Sequence, residues 1–512
     1  MIYNIMDYSG MKVLIMGLGL HGGGLESARY LLRRGADLTV TDLRDEKVLA
    51  SSIEQLEASS GGKRGLQSKP AIRYVLGRHE IDDFRNSDIV IKNPGVRPDS
   101  PYLKAARHIE TDIGLFLAAI NDIASSGPPV RFIAVTGSKG KSSVSSALHW
   151  ALKESNYRSF LGGNITVSPL SFLDELKNGD TVVLELSSWQ LGDLRGRIRE
   201  DGSALLKPNA AVLTSIMPDH LDRYGTMEAY VSDKRIIYQA QTQSDITVAG
   251  DDNWGRGFLA ESKARPLIYS NSPLPQNVSG GWIDADSGKG FARLCNWDLQ
   301  NAIESRPLDN EIVEIVPEKL IVVGGHQKQN LLAAGLALYG LGMKPEHIRK
   351  GLGSFPGVEH RLELFLEAGG IAFYNDSAAT IPEAAAAAVE ALGADGRLIL
   401  VTGGTDKNLD FSPLAKVAGK AKAVILLAGT GSDKLRELFR GAGIGCLGPF
   451  DVLENAAKKA LELAVPGDRI ALSPGCASFG MFLNEFDRGR KWKEAIKKTS
   501  RGGAEDAEKI KN

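Results

Sequence analysis

Arg131-Phe132-Ile133-Ala134-Val135-Thr136-Gly137-Ser138-Lys139-Gly140-Lys141-Ser142-Ser143 is the stretch that decides the fold. A β-rich run ends at Val135, a glycine-punctuated turn follows, and a helical stretch opens near Lys141. In a strand–turn–helix of this kind the consecutive loop amides cradle phosphate oxygens. The lysine neutralises β/γ charge, and the hydroxyl after it coordinates Mg²⁺. The general pattern GxxxxGK[ST] wants glycine at 135, where this chain has Val135, so the match is to the shorter TGxxGK[ST]. Gly137, Ser138, Lys139, Gly140, Lys141, Ser142 and Ser143 are therefore expected to hold a triphosphate. The plain alternative is a glycine-rich turn with chance lysines.

The same alternation extends in both directions and reads as α/β. Upstream, 12–16 is strand-like and leads into Gly17-x-Gly19-x-x-Gly22, with a helix expected over about 25–34. Asp42 ends the next strand. Such glycines let backbone approach a pyrophosphate, the helix start supplies partial positive charge, and the acid caps a ribose. Any nucleotide diphosphate satisfies that physics. NAD and a purely structural turn both stay open, and with NAD an oxidoreductase reading. Further strands are expected at 72–76, 88–92, 181–186 and 210–213, while 271–289 reads as an insertion or surface loop. Beyond 357 come strands at 371–374, 398–401, 423–428 and 469–472, with an alanine-rich helix at 383–391. The expected architecture is three α/β domains. A Rossmann-like domain spans 1–110, a central P-loop ATPase-like domain 111–356, and a C-terminal Rossmann-like domain 357–512.

Length supports that division, because 512 residues exceed what one hydrophobic core serves. Lys+Arg total 61 against Asp+Glu 62, which argues against a polyanion binder such as a nucleic-acid protein. The three cysteines are far apart and form neither a CxxC pair nor a secreted framework, so a reducing, cytoplasmic setting is expected. The eight histidines have no HExxH-type spacing. No apolar run approaches the ~20 residues that span a bilayer, and no signal peptide is evident, so no membrane insertion is expected.

Other polar clusters sit where α/β sites gather, at strand ends. Glu185 ends a strand next to the phosphate loop in order, and an acid there can hold Mg²⁺. His220 lies between Asp219 and Asp222 after an apolar run. Lys234 lies in a helical stretch and, on the residues alone, reads as a solvated lysine. Gln327 and Asn330 precede an apolar helix and read as caps. Asn375-Asp376-Ser377, Gly403-Gly404-Thr405-Asp406-Lys407 and Ser473-Pro474-Gly475-Cys476-Ala477-Ser478 end three strands of one domain and together suggest a substrate face.

The ordered set GLGL, TGSKGKSS, GGN, ELSSWQL, DHLDRY, the Lys234 helix, HQxxN, HRLE, NDS, GGTDK and SPGCAS resembles the Mur ligases, ATP-dependent amide-forming enzymes of peptidoglycan synthesis. The resemblance covers nearly the whole chain and is greatest to the D-glutamate-adding branch. It implies that glutamate is joined to UDP-N-acetylmuramoyl-L-alanine through an acyl phosphate, by a monomer using ATP and two Mg²⁺ ions. Gly19, Leu20, His21, Asp42, Arg44, Asn93 and Gly95 would face the UDP substrate, with Asn164 and Ser187 near its muramoyl end and the magnesium. Lys141, Glu185, His220 and Lys234 would be catalytic, and Ser142, Glu185, His220 and a carbamylated Lys234 would hold metal. Gln327, Asn330, Arg361 and Asp376 would contact ATP, and Thr380, Lys407 and Ser478 the glutamate. The chain departs from the family where HNxxN is HQxxN, at Ala378 in place of a lysine, at Ile381 in place of an asparagine, and at Thr405. Those changes leave a sister ligase with another acceptor, L-glutamate included, as the nearest alternative, with a folylpolyglutamate-synthase-like ligase behind it.

Overall fold

Apolar strands that are buried end to end, each followed by a helix, build three sheets. The computed structural model describes residues 7–19, 22–60, 72–120, 128–165, 167–295, 303–304 and 311–509. They fall into two compact units, 1–318 with 328–352, and 319–327 with 353–512.

The first sheet has five parallel strands in the order Arg73–Leu76, Asp37–Asp42, Lys12–Met16, Ile89–Lys92, Ile109–Glu110. The strand order reverses between Lys12–Met16 and Ile89–Lys92, so a crevice opens beyond their C-terminal ends. The glycine turn sits there. The helix behind it runs Gly23–Arg33 and begins two residues earlier than the sequence suggests. Gly24 is the reason. A Cβ at Gly24 would overlap the Gly17 carbonyl oxygen and lie 2.6 Å from that of Leu18. The close helix-to-strand contact is made by Gly24, while Gly22 takes the positive φ of 92° that ends the turn.

The second sheet has nine strands. Ser159–Gly163, Thr181–Glu185, Arg131–Thr136, Ala210–Leu213, Ile246–Gly250, Arg265–Ser270 and Gly280–Ile283 are successive and parallel. Gly290–Arg293 and Val313–Val316 add an antiparallel end. The stretch 271–289 is thus not simply a surface loop, since it contains the strand Gly280–Ile283. Glycine usually marks a turn. Here a Cβ at Gly280 would overlap the Ile268 carbonyl oxygen, so the residue is small to let two strands close up.

The third sheet runs Glu363–Ala368, Ile371–Asn375, Arg469–Leu472, Leu398–Thr402, Ala423–Leu427, Leu447–Phe450, antiparallel only in its first pair. Asn375 and Val401 both register with Leu472, so three strand ends lie side by side on one edge, as the three polar clusters suggest. The alanine-rich helix is Pro382–Leu392, packed through Ala385, Ala388, Val389 and Leu392.

Gly24→Ala is expected to destabilise the protein by at least about 2 kcal/mol, because backbone atoms cannot swing aside as a side chain can. Gly10→Ala, at φ 76° in open space, should cost only about 1 kcal/mol. Urea unfolding of the two variants tests the ranking, and equal losses would contradict it.

Candidate active site

The phosphate loop is built around two glycines. A Cβ at Gly137 would overlap Thr214 Oγ1, and one at Gly140 would overlap Asn330 Oδ1. Gly140 ends the loop at φ 89°, and the helix Lys141–Glu154 starts with no side-chain cap. Its first amide to reach a carbonyl within the turn is that of Val144, to Gly140 O at 3.0 Å. The amides of Lys141, Ser142 and Ser143 therefore lack an intrahelical acceptor and carry the positive end of the helix. Not every loop amide points outward, however. Ser138 N donates to Ser215 O at 2.9 Å, and the Ser138 hydroxyl is fastened to Met217 O and the Tyr230 hydroxyl, each at 2.9 Å. Ser138 and, more loosely, Lys139 brace the loop against Ser215, and the amides at the helix start take no part in that bracing.

Two ammonium groups converge on one carbonyl. Lys141 Nζ donates to Gly137 O and Ser138 O, both at 3.0 Å, and Lys234 Nζ donates to Gly137 O at 2.8 Å. Lys234 is 1% exposed and lies 4.5 Å from the Tyr230 ring centroid. The solvated-lysine reading is therefore wrong. The helix Met227–Arg235 turns Tyr230 and Lys234, four apart, onto its buried face. Burial, reinforced by the Lys141 charge, pulls the Lys234 ammonium down to about 7.

Glu185 pairs in register with Val135, the last apolar residue of the phosphate-loop strand, and is fully buried. One oxygen accepts from Asn164 Nδ2 at 2.8 Å, while Oε2 has no hydrogen-bond partner among the described residues. A buried carboxylate oxygen without a donor is costly unless a cation meets it. A carboxylate oxygen there, like the Ser142 hydroxyl at the helix start, is a hard donor of the kind Mg²⁺ takes. His220 stands half-exposed in the left-handed region at φ 53°, its ring 4.8 Å from that of Trp189. Ser187 is less free than the resemblance implies. Its hydroxyl and backbone N–H form a reciprocal cap with Gln190 at the helix Ser188–Asp193.

At the first sheet, Asp42 is buried and its carboxylate accepts from Gly19 N at 3.2 Å and Arg44 N at 3.0 Å. The Arg44 side chain is exposed. Asn93 packs against Gly17, and its Oδ1 accepts from Gly95 N at 3.0 Å. Leu20 and His21 lie outside the described residues. Gln327 and Asn330 both stand in the first turns of the helix Gly325–Gly340.

In the other unit, Asp376 is buried and accepts from Ser473 Oγ at 2.6 Å and Leu362 N at 3.0 Å. Burial pushes its carboxyl up to about 7. Arg361 and Lys407 are exposed, Thr380 is half-buried, and Ser478 is buried. Lys407 Nζ lies 5.3 Å from the Phe479 ring centroid. Arg488 ties the strand-end loops together, donating to Ser377 Oγ at 3.0 Å, Ser377 O at 2.8 Å and Cys476 O at 3.1 Å. Neither Arg488 nor Tyr230 is visible as a site residue in the sequence. The four-residue spacing to Lys234 is the one available signal for Tyr230, and Arg488 has none.

A mononucleotide-type sheet switch, an uncapped phosphate-loop helix and a strand-end acid beside it define a phosphate-loop nucleotide-binding protein of the α/β class. The Mur ligase MurD-like N-terminal domain matches residues 11–114, the Mur ligase middle domain 135–338, and the Mur ligase glutamate ligase domain 360–476. The UDP-N-acetylmuramoylalanine--D-glutamate ligase of Treponema pallidum (strain Nichols) is 37% identical, covering 95% of this chain and 98% of its own. That of Roseiflexus sp. (strain RS-1) is 38% identical over 96% of this chain and 99% of its own. The chain belongs to the Mur ligase family. Among solved structures, UDP-N-acetylmuramate-alanine ligase MurC of Thermotoga maritima superposes with a TM-score of 0.57 at 19% identity, covering 96% of this chain and 100% of its own. MurF ligase of Thermotoga maritima in complex with ADP gives 0.53 at 18%, covering 98% and 97%. Both share the fold. No helix among the described residues is long and apolar enough to cross a membrane.

Lys234 holds its proton less tightly folded than unfolded. Between about pH 7 and its ordinary 10.5 the unfolded chain binds the extra proton, so stability should rise with pH across that window. Lys234→Met should lack this rise. Urea unfolding of both proteins near pH 7 and near pH 10 checks it, and parallel curves would contradict a depressed amine.

Proposed function

We propose that this chain is an ATP-dependent ligase that joins D-glutamate to UDP-N-acetylmuramoyl-L-alanine in cytoplasmic peptidoglycan precursor synthesis. The observation that carries the reading is the convergence of Lys141 and Lys234 on Gly137 O beside the buried carboxylate of Glu185. The names of relatives matched along almost their full length support the substrates. Domains are assigned as 1–110 for the UDP substrate, 111–356 for ATP and 357–512 for glutamate.

The difficulty the site must solve is that a carboxylate and a triphosphate repel each other. Lys141 and the amides that open its helix offset that repulsion and stabilise charge developing on the phosphoryl oxygens. The L-alanyl carboxylate takes the γ-phosphoryl group from ATP and ADP leaves; the glutamate amine attacks the resulting acyl phosphate, gives up a proton, and phosphate leaves as the amide forms. Ser142, Glu185 and His220 would hold Mg²⁺, with Lys234 as its carbamate. Bound Mg²⁺ supplies Lewis-acid charge neutralisation. A Lys234 amine that is substantially neutral near pH 7 is chemically able to take up carbon dioxide. Gln327, Asn330, Arg361 and Asp376 are assigned to ATP, and Thr380, Lys407 and Ser478 to glutamate. Gly19, Asp42, Arg44, Asn93 and Gly95 are assigned to the UDP end, with Asn164 and Ser187 at the muramoyl end.

Phosphate release from ATP, with UDP-N-acetylmuramoyl-L-alanine present, should be sustained by D-glutamate and not by meso-diaminopimelate or L-lysine. L-glutamate is the decisive comparison, because Ala378 and Ile381 stand where the family pattern has lysine and asparagine. A preference for L-glutamate would move the chain to the sister reading.

Lys141→Ala should lower turnover at least about 100-fold while leaving UDP-substrate binding within a few-fold of the parent. Near-normal turnover would remove the phosphate-loop assignment. Lys234→Ala should be nearly inactive and regain activity with added short carboxylic acids, whereas full activity without them would refute the carbamate.

A further inference from the structure

Lys92 ends the strand Ile89–Lys92, one residue before Asn93, and neither sequence motif nor the reaction above gives it a task. Its side chain is 3% exposed, and Nζ lies 2.6 Å from Asp193 Oδ2, itself 13% exposed. Asp193 is the last residue of the helix Ser188–Asp193, on the segment that leaves Glu185. The pair thus runs from a strand end of the first sheet to the helix that follows the strand Thr181–Glu185 of the second, within one compact unit. A second bridge runs alongside it, with Arg197 donating to Glu110 Oε2 at 3.0 Å and Ile109 O at 2.6 Å.

The short helix held by Lys92 touches the candidate metal-side groups in turn. Ser187, its cap, follows Glu185 by two residues. The Trp189 ring lies 4.8 Å from that of His220. A Cβ at Gly192 would stand 2.6 Å from Asp233 Oδ2, so glycine lets this helix press against the helix that carries Lys234. Asp233 is held there by Arg195 at 2.7 Å and Tyr224 at 2.9 Å.

We infer that the Lys92–Asp193 ion pair couples occupancy of the diphosphate end of the glycine turn to the placement of Glu185, His220 and Lys234 around the phosphate loop. Lys92 and Asp193 are positioning residues for the ligase reaction proposed above, and the inference rests on that reading. A ligand that draws Asn93 toward the turn pulls on the adjacent Lys92. Two buried opposite charges in contact resist separation far more than exposed ones do, so the helix follows. Asp112 shares the surroundings. It lines the same small cavity as Lys92, Gly17 and Asn93, and its Oδ1 accepts no hydrogen bond among the described residues. Lys92 thus contacts one buried carboxylate and shares a cavity with another, and the charge of each is felt by that of Lys92.

The test is a binding cycle with the full chain. Affinity for UDP-N-acetylmuramoyl-L-alanine is measured by calorimetry with and without Mg²⁺ and a nonhydrolysable ATP analogue. The parent should show at least fivefold mutual tightening, the lower end of ordinary coupling. Lys92→Met/Asp193→Leu replaces the pair by apolar groups, an exchange that commonly preserves folding. It should melt within a few degrees of the parent, keep each separate affinity within about threefold, and bring the coupling ratio close to one. Lys92→Arg should restore most of the coupling. Parent-like coupling in the double variant, or a parent ratio of one with both ligands binding, overturns the inference and leaves the ligase reading standing. Failure of the parent to bind either ligand overturns both.

Discussion

One backbone carbonyl, Gly137 O, receives two lysine ammonium groups. Two like charges at one acceptor are tolerable only if something anionic comes close or one of them sheds its proton. Burial weakens the Lys234 ammonium, while Lys141 stands half-buried at the start of its helix. The carboxylates of Asp219, Asp233 and Glu185 lie near enough to oppose that weakening, so the loop is a meeting point of both signs of charge.

The sheets supply the arrangement. Parallel strands end on one edge, and the polar residues that follow them gather there without needing to be near in sequence. Glu185, Gly137 and Thr214 are brought together because Thr181–Glu185, Arg131–Thr136 and Ala210–Leu213 are neighbours. In the third sheet, Asp376, Gly403 and Ser473 meet for the same reason, and Arg488 reaches over from the last helix to join their loops. The Ser473–Asp376 contact is short and buried, so the face is set before any ligand arrives.

Much of this is legible in the residues. The strand–turn–helix units and the strands from Ala210 and Arg469 could be read because buried parallel strands are continuously apolar. The phosphate loop could be read because its glycines and lysine have fixed spacing. Lys234 could not, since a lysine's burial is decided by partners distant in sequence, here the Gly137 carbonyl and the packing behind Tyr230. The strand Gly280–Ile283 is hidden in the residues because glycine signals turns more often than close strand approach.

The strand Gly280–Ile283 begins with two residues that have no side chain beyond hydrogen, and a Cβ at the second would stand 2.8 Å from the Phe291 carbonyl oxygen. Sequence drift is therefore blocked there by the spacing of the main chain itself, independently of catalysis. The turn at 284–289 that joins this strand to Gly290–Arg293 is limited in this way only at Gly288, where φ is 65°. Divergence between descendants of this chain should accumulate in that connection while the glycine pair stays fixed, a record of backbone geometry written into a stretch that resembles a spacer.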